Sequence, residues 1–381
     1  MDRRALLMAA LAAPLASLAA ETQPSVIEQI LSTGSARLRE TLANARALEL
    51  QICYTRVLRT GSGVRLQPHQ FPARAPWFAS ASLVKLPLAA LLLEQLASLD
   101  LGLDANLAFP GMPACAQGAA QLRVAQPVRR LIERALVVSD DSAYNALYDF
   151  LGPQAIADRL AQLGYQESRI QARFGACGPE LSRVTGPWQL SDARGKVLAE
   201  QAQRAAFQLR SSAVPITRGN AWMQAGRRMA GAKDFSQSNA LTLAAAQQML
   251  LALSYPEAVP AQQRFALREA DRQFLLSRLR MTPAESQLSS GAERALKPGH
   301  FKLLGVGDGQ WPKGLLVTNK VGWAYGYLSD VTHLRLAAQE CFVSCAMYLN
   351  RDAVLNDGIY EYEQIGRPFM AEAGRLLLAA S

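Results

Sequence analysis

The strand-like runs of this chain lie at its two ends, and the stretch between about residues 100 and 300 reads as mostly helical. Near the start, "LELQICYTRVLR" (48–59) alternates and is rich in β-branched residues, and after a Gly61/Gly63 turn "VRLQP" completes a hairpin. Strands return in "GLLVTNKVG", "AYGYLSDVTHLRL" and "CFVSCAMYL", before a closing helix in "RPFMAEAGRLLLAA". Strands so far apart in sequence bury their apolar faces together only in one sheet. The pattern therefore predicts an α/β (α+β) fold: an antiparallel sheet formed from both chain ends, with flanking helices and an inserted all-helical lobe. The expected α/β lobe covers 21–100 and 300–381 and the helical lobe 101–299, with the cleft between them as the natural place for a site.

Helical periodicity supports this division. Residues 25–48 carry Ile27, Ile30, Leu31, Leu38, Leu42 and Ala45 at helical spacing, which predicts a helix before the first strand. In the middle, "PVRRLIERALVV", "SAYNALYDFLG", "GPQAIADRLAQLG", "LTLAAAQQMLLALS" and "ALREADRQFLLSRLRM" repeat that spacing. From Ser82 to about Leu99 the pattern is apolar nearly all round, the mark of a central buried helix. Pro87 falls early enough there to cost at most one ladder bond. The tract between Ser191 and Asn239 is polar, Arg-rich and without a clear period, and reads as an insertion.

The opening "MDRRALLMAALAAPLASLAAET" places Arg3 and Arg4 before an apolar run from Ala5 to Leu18 that ends in small residues. It reads as a signal peptide over 1–20, leaving 21–381 as a periplasmic or secreted protein with no membrane contact after cleavage. At 381 residues and 50% hydrophobic content, the chain can bury one large core, and a monomer is expected. The formal net charge of +9 comes from arginines scattered along the chain, as on a solvated surface. No basic arm or nucleic-acid module is visible, so nucleic acid is not expected as a partner. The five cysteines (Cys53, Cys115, Cys177, Cys341, Cys345) lack metal-ligand spacing. Buried free thiols are the expectation, and the one pairing suggested is Cys53 with Cys345 across neighbouring strands.

Three short stretches carry chemistry. Ser82 and Lys85 are three apart at a helix start, so the amine reaches the hydroxyl. A lysine in so apolar a helix must find a partner or lose its proton, and a neutral Lys85 would make Ser82 a nucleophile. The second stretch is Ser139-Asp140-Asp141, followed by Asn145; the third is Lys320-Val321-Gly322, on an apolar strand. Taken singly, Ser139 reads as a helix N-cap and Lys320 as a strand-edge charge.

Taken together, the order Ser-x-x-Lys, Ser-Asp-(Asn), Lys-(Thr)-Gly resembles the class A β-lactamases and penicillin-binding proteins. The flanks "FASASLVKLPLAALL" and "RVTGP" (183–187) agree. Segments such as "YNALYDFLG", "LSYPEAVP", "NKVGWAYGYLSDV" and "YEYEQIGRPF" look more like exported serine hydrolases of that superfamily with a longer helical lobe. The resemblance implies a β-lactamase/transpeptidase-like fold, with Ser82 as acyl-accepting nucleophile and Lys85 as its base. It further implies that Ser139 relays a proton to the leaving nitrogen, while Lys320 polarises that hydroxyl and attracts a substrate carboxylate. Gly322 and Trp323 fall in the substrate-binding strand, and the backbone N–H groups of Ser82 and Trp323 would form the oxyanion hole.

Three departures qualify it. Asp141 stands where the motif has Asn, removing a side-chain donor for substrate and adding a negative charge that would hold Lys85 protonated. Val321 replaces a hydroxyl that would help bind a carboxylate. In "RIQARFGACGPELSRVTGP", where a glutamate would activate the deacylating water, the acid between Arg173 and Arg183 is Glu180, near the loop's end. The expected function is a serine hydrolase that works through an acyl-enzyme, with β-lactam hydrolysis first and slow deacylation. The alternatives are a cell-wall peptidase or esterase, and a non-catalytic peptidoglycan- or ligand-binding module. The partner would be a small-molecule or peptide acyl substrate, with no metal and no cofactor. The chain has no G-x-S-x-G elbow and only His69, His300 and His333, which disfavours an α/β-hydrolase or a zinc enzyme.

Overall fold

In a computed structural model, which describes residues 24–61, 63–286, 288, 298–305 and 311–381, the two chain ends do build one sheet. The signal-peptide reading of 1–20 lies outside the described residues, as does Ser62. The sheet has five strands, in the order Leu316–Ala324, Tyr327–Leu336, Gln339–Tyr348, Gln51–Thr60, Gly63–Phe71. The ends meet where Gln51–Thr60 pairs antiparallel with Gln339–Tyr348, Gln51 opposite Ala346 and Arg56 opposite Cys341. Successive side chains point to opposite faces, so one strand feeds two cores. Phe342 and Ala346 join the large core that includes the middle helices, whereas Cys341, Val343, Cys345 and Met347 pack with residues of the terminal helices Val26–Leu31 and Arg367–Ala379.

The same alternation corrects the suggested cysteine pairing. Cys53 sits opposite Ser344 and Cys345 opposite Ile52, one step out of register, so the two thiols point into different cores. The disulfide is Cys115–Cys177, and Cys53, Cys341 and Cys345 are buried free thiols.

The helix expected over 25–48 is two helices, Val26–Leu31 and Ala36–Ala43. The break at Gly34 lets Ser35 donate from its backbone N–H (2.6 Å) and hydroxyl (2.7 Å) to the Glu372 carboxylate on the last helix. A Cβ on Gly34 would meet that carboxylate and Leu376, each at 3.0 Å. The central helix is Lys85–Ser98, entered through a 3-10 turn at Ala81–Val84, and its apolar residues are buried on most sides. Pro87 is its third residue, where an α-helix leaves the N–H unpaired in any case.

The inserted lobe carries the helices Val128–Val137, Asp141–Leu151, Pro153–Gln162, Leu243–Ser254 and Glu269–Arg280, but it is not all-helical. Asn106–Ala108, Gln126–Pro127, Trp188–Ser191 and Val197–Gln201 form a small antiparallel ribbon. The polar tract folds into a hairpin, Ala221–Gln224 with Arg227–Ala230, and a second pair, Thr217–Arg218 with Lys233–Asp234. Strands of two to five residues are too short to show a period. Val354–Leu355 pairs in parallel with the hairpin, and the Arg218 guanidinium donates to the Tyr327 hydroxyl (2.8 Å), so the tract is tied to the sheet.

Candidate active site

Lys85 opens the central helix, and its side chain has no solvent exposure. The preceding 3-10 turn carries Ser82, whose Oγ lies 2.9 Å from Lys85 Nζ. The turn is entered through Ala81 at φ +44°, a conformation a non-glycine residue holds only when its surroundings impose it. Ser139 is also left-handed, at φ +56°. It is not the N-cap of the helix Asp141–Leu151; Asp140 is, accepting from the Ala143 N–H at 2.8 Å. Ser139 instead accepts from Lys85 Nζ at its carbonyl oxygen and, at 3.2 Å, at its Oγ.

Lys320 lies on the sheet's edge strand, but its ammonium is buried rather than exposed at that edge. It donates to Ser139 Oγ at 2.9 Å and to the Val321 carbonyl at 3.0 Å. The three stretches thus converge on one chain of contacts, Ser82–Lys85–Ser139–Lys320. Gly322 permits the convergence: a Cβ there would sit 2.7 Å from the Ser80 carbonyl oxygen and 2.8 Å from Ser329 Oγ, so only glycine lets the strand lie against the Ser82 turn.

Asp141 does reach Lys85, with Oδ1 2.7 Å from Nζ. Burial nevertheless outweighs the carboxylate and holds Lys85 below the ordinary lysine value. Asp141 is half exposed, so water screens its charge while Lys85 has no water to favour its own. Lys320 is held well below its ordinary value, first by burial and then by the charge of Lys85. The neighbours of Lys85 also fix its geometry. The Asp141 carboxylate and the Ser139 carbonyl can only accept, so on a neutral amine they take both N–H bonds and leave the lone pair for the Ser82 hydroxyl.

Asn145 is fully buried and acts on the backbone around the site. Its amide donates to the Gln117 and Phe174 carbonyls at 3.1 and 2.9 Å and accepts from the Phe174 N–H at 2.8 Å. With the Cys115–Cys177 bond it fastens these two segments, and the Phe174 ring centroid comes 5.3 Å from Lys85 Nζ.

These groups serve a cleft of about 660 Å³. Ser82, Asp141 and Trp323 line its wall; Lys85, Ser139 and Lys320 connect to it through the bonds above, and Gly322 is not on it. Glu180 is not on the wall either; it is exposed and pairs with Arg183 at 3.1 Å. Asp141 is the carboxylate that lines the cleft among the described residues. Sequence reasoning missed Trp77, Trp222, Lys233, Phe235 and Asn239, all on the wall. Four of them come from the tract read only as an insertion. His300 stacks on Trp323, ring centroids 6.4 Å apart, and His333 bonds Glu340 at 2.8 Å. Among the described residues no group of three or more His, Cys, Asp or Glu could hold a metal ion.

A family model described as the beta-lactamase enzyme family matches residues 35–380. Solved structures share the fold at low identity. The TLA-1 extended-spectrum beta-lactamase superposes with a TM-score of 0.57 at 12% identity, covering 93% of this chain and 98% of its own. A beta-lactamase from Desulfarculus baarsii gives 0.53 at 19%, covering 92% and 97%, and one from Xanthomonas campestris pv. campestris gives 0.51 at 15%, covering 90% and 96%. No curated protein matches the chain.

Proposed function

The chain belongs to the beta-lactamase enzyme family, and from that premise we propose that it is an exported serine hydrolase that forms an acyl-enzyme on Ser82, with β-lactam hydrolysis as its first activity. The observation that carries this reading is the fully buried Lys85 amine, 2.9 Å from Ser82 Oγ and flanked by two groups that can only accept. In the first step Lys85 takes the Ser82 proton and Oγ bonds to the carbonyl carbon of the substrate. Backbone N–H groups of Ser82 and Trp323 hold the oxyanion. As the C–N bond breaks, Ser139 passes its proton to the leaving nitrogen and is reprotonated from Lys85, which returns the amine to its starting state. Lys320, bonded to Ser139 Oγ, steadies that relay and draws a substrate carboxylate toward it. Water then releases the acyl group.

The release step favours a second reading. With Glu180 outside the cleft and Asp141 already paired to Lys85, the site lacks a free carboxylate to activate water among the described residues. General-base assistance is worth about 10²- to 10⁴-fold, so deacylation would be slow, as suits a cell-wall peptidase or esterase for which β-lactams are incidental. The test is intact mass after incubation with a fluorescent penicillin, beside turnover of a chromogenic cephalosporin, for wild type and Ser82→Ala. Ser82-dependent turnover is the expected result, and a lasting adduct would assign the second reading. No adduct with any acyl probe would leave only a ligand-binding module on the same fold.

A further inference from the structure

At the end of the cleft away from Lys320, the inserted tract delivers an ammonium to the wall. Lys233 follows the hairpin, and its Nζ stands 4.0 Å from the ring centroid of Trp222, 5.8 Å from Phe235 and 5.9 Å from Tyr325. All four residues line the cleft. Rings of this kind hold a cation by their negative faces and remove part of its water. The charge of Asp234, next in sequence, favours the ammonium, but from beyond ion-pair distance. The adjacent Asp234 carboxylate accepts from the Ser236 N–H at 2.8 Å, and among the described residues Lys233 makes no ion pair. The other basic side chain on the wall, Arg173, is committed to the buried Asp149 and to two carbonyls. Among the described residues Lys233 is therefore the cation of the cleft wall that holds no ion pair.

Its position says which part of the substrate it meets. The strand from Lys320 to Ala324 runs along the cleft edge, and four steps of extended chain span about 13 Å. Lys320 bonds Ser139, on the leaving-group side; Lys233 packs on Tyr325, past the other end of that strand. We infer that Lys233 and its aromatic panel form an anion subsite for the acyl side of the substrate, selecting acyl groups that carry a carboxylate next to a flat apolar group. This rests on the acyl-enzyme reading for the direction of the substrate, and it assigns to the inserted tract the recognition of the acyl group.

Two penicillins that differ only in the side chain, phenylacetyl and α-carboxyphenylacetyl, test it. Their affinities for Ser82→Ala protein are measured by calorimetry in the presence and absence of the further change Lys233→Met or Lys233→Arg. The added carboxylate should favour binding about tenfold, with the preference lost in Lys233→Met, kept in Lys233→Arg and diminished by added salt. Should Lys233→Met not fold, the Arg variant and the salt dependence read the same preference. Absence of a preference in the Ser82→Ala protein, including absence of binding, or a preference that survives Lys233→Met, overturns the subsite. Acylation of wild type by the same two compounds reports on Ser82 separately, so a failed nucleophile and a failed subsite give different results.

Discussion

Lys85 and Lys233 each hold a side-chain nitrogen against an aromatic ring beside one cleft, yet they belong to regions built in opposite ways. Lys85, which supports the cleft floor from beneath through Ser82 and Asp141, has no exposure and is bonded to Ser82, Ser139 and Asp141. Lys233, on the rim, is partly exposed and faces Trp222 with no ion pair among the described residues. Burial lowers the affinity of both for a proton. On the floor that effect, together with neighbours that fix the lone pair, suits a base. On the rim the cation keeps water on one side and suits an anion receptor. The same side chain suits either role according to what surrounds it.

The comparison can be broken from either side. Lys85→Met should lose Ser82 acylation by about 10²- to 10⁴-fold, read as the rate of adduct formation by intact mass, while Met keeps the apolar packing of the helix. An acylation rate within a few fold of wild type would mean that the floor lysine is structural. The acyl-group preference at Lys233 comes next in size. The smallest expected effect on chemistry comes from the Cys115–Cys177 bond, which closes a sequence separation of 62 residues around the Asn145 and Phe174 contacts. Removing both cysteines should lower unfolding free energy by about 2–4 kcal/mol in a denaturant titration, with Ser82 still acylated. Loss of acylation in a folded double variant would show instead that the floor depends on that clasp.

The floor was legible in the sequence because its contacts begin locally. Ser82 and Lys85 are one helical turn apart, and the alternation in 48–59 and in the last strands was enough to place both chain ends in one sheet. The rim was not, since Lys233 meets Trp222 from just beyond a hairpin and Tyr325 from the far end of the chain, and the strands that carry Trp222 and Lys233 are four residues or fewer. Alternation also held the answer for Cys53 and Cys345, but it required the register, and Cys53 faces Ser344. Asp141 lay in a motif position, where its charge pointed to a protonated Lys85. The balance between that charge and burial depends on Asp141 being half exposed and Lys85 not at all, quantities that belong to the assembled cleft.

That balance is tested most directly by the pH dependence of Ser82 acylation in wild type and Asp141→Asn, with one penicillin and intact mass as the readout. A base works unprotonated, so the rate should rise with pH through the titration of Lys85, at an inflection below the ordinary lysine value of 10.5. Asp141 favours the charged amine, so its replacement by Asn should move the inflection to lower pH. An inflection at or above 10.5 in wild type, or one that stays in place or rises in Asp141→Asn, would contradict a Lys85 base made available by burial.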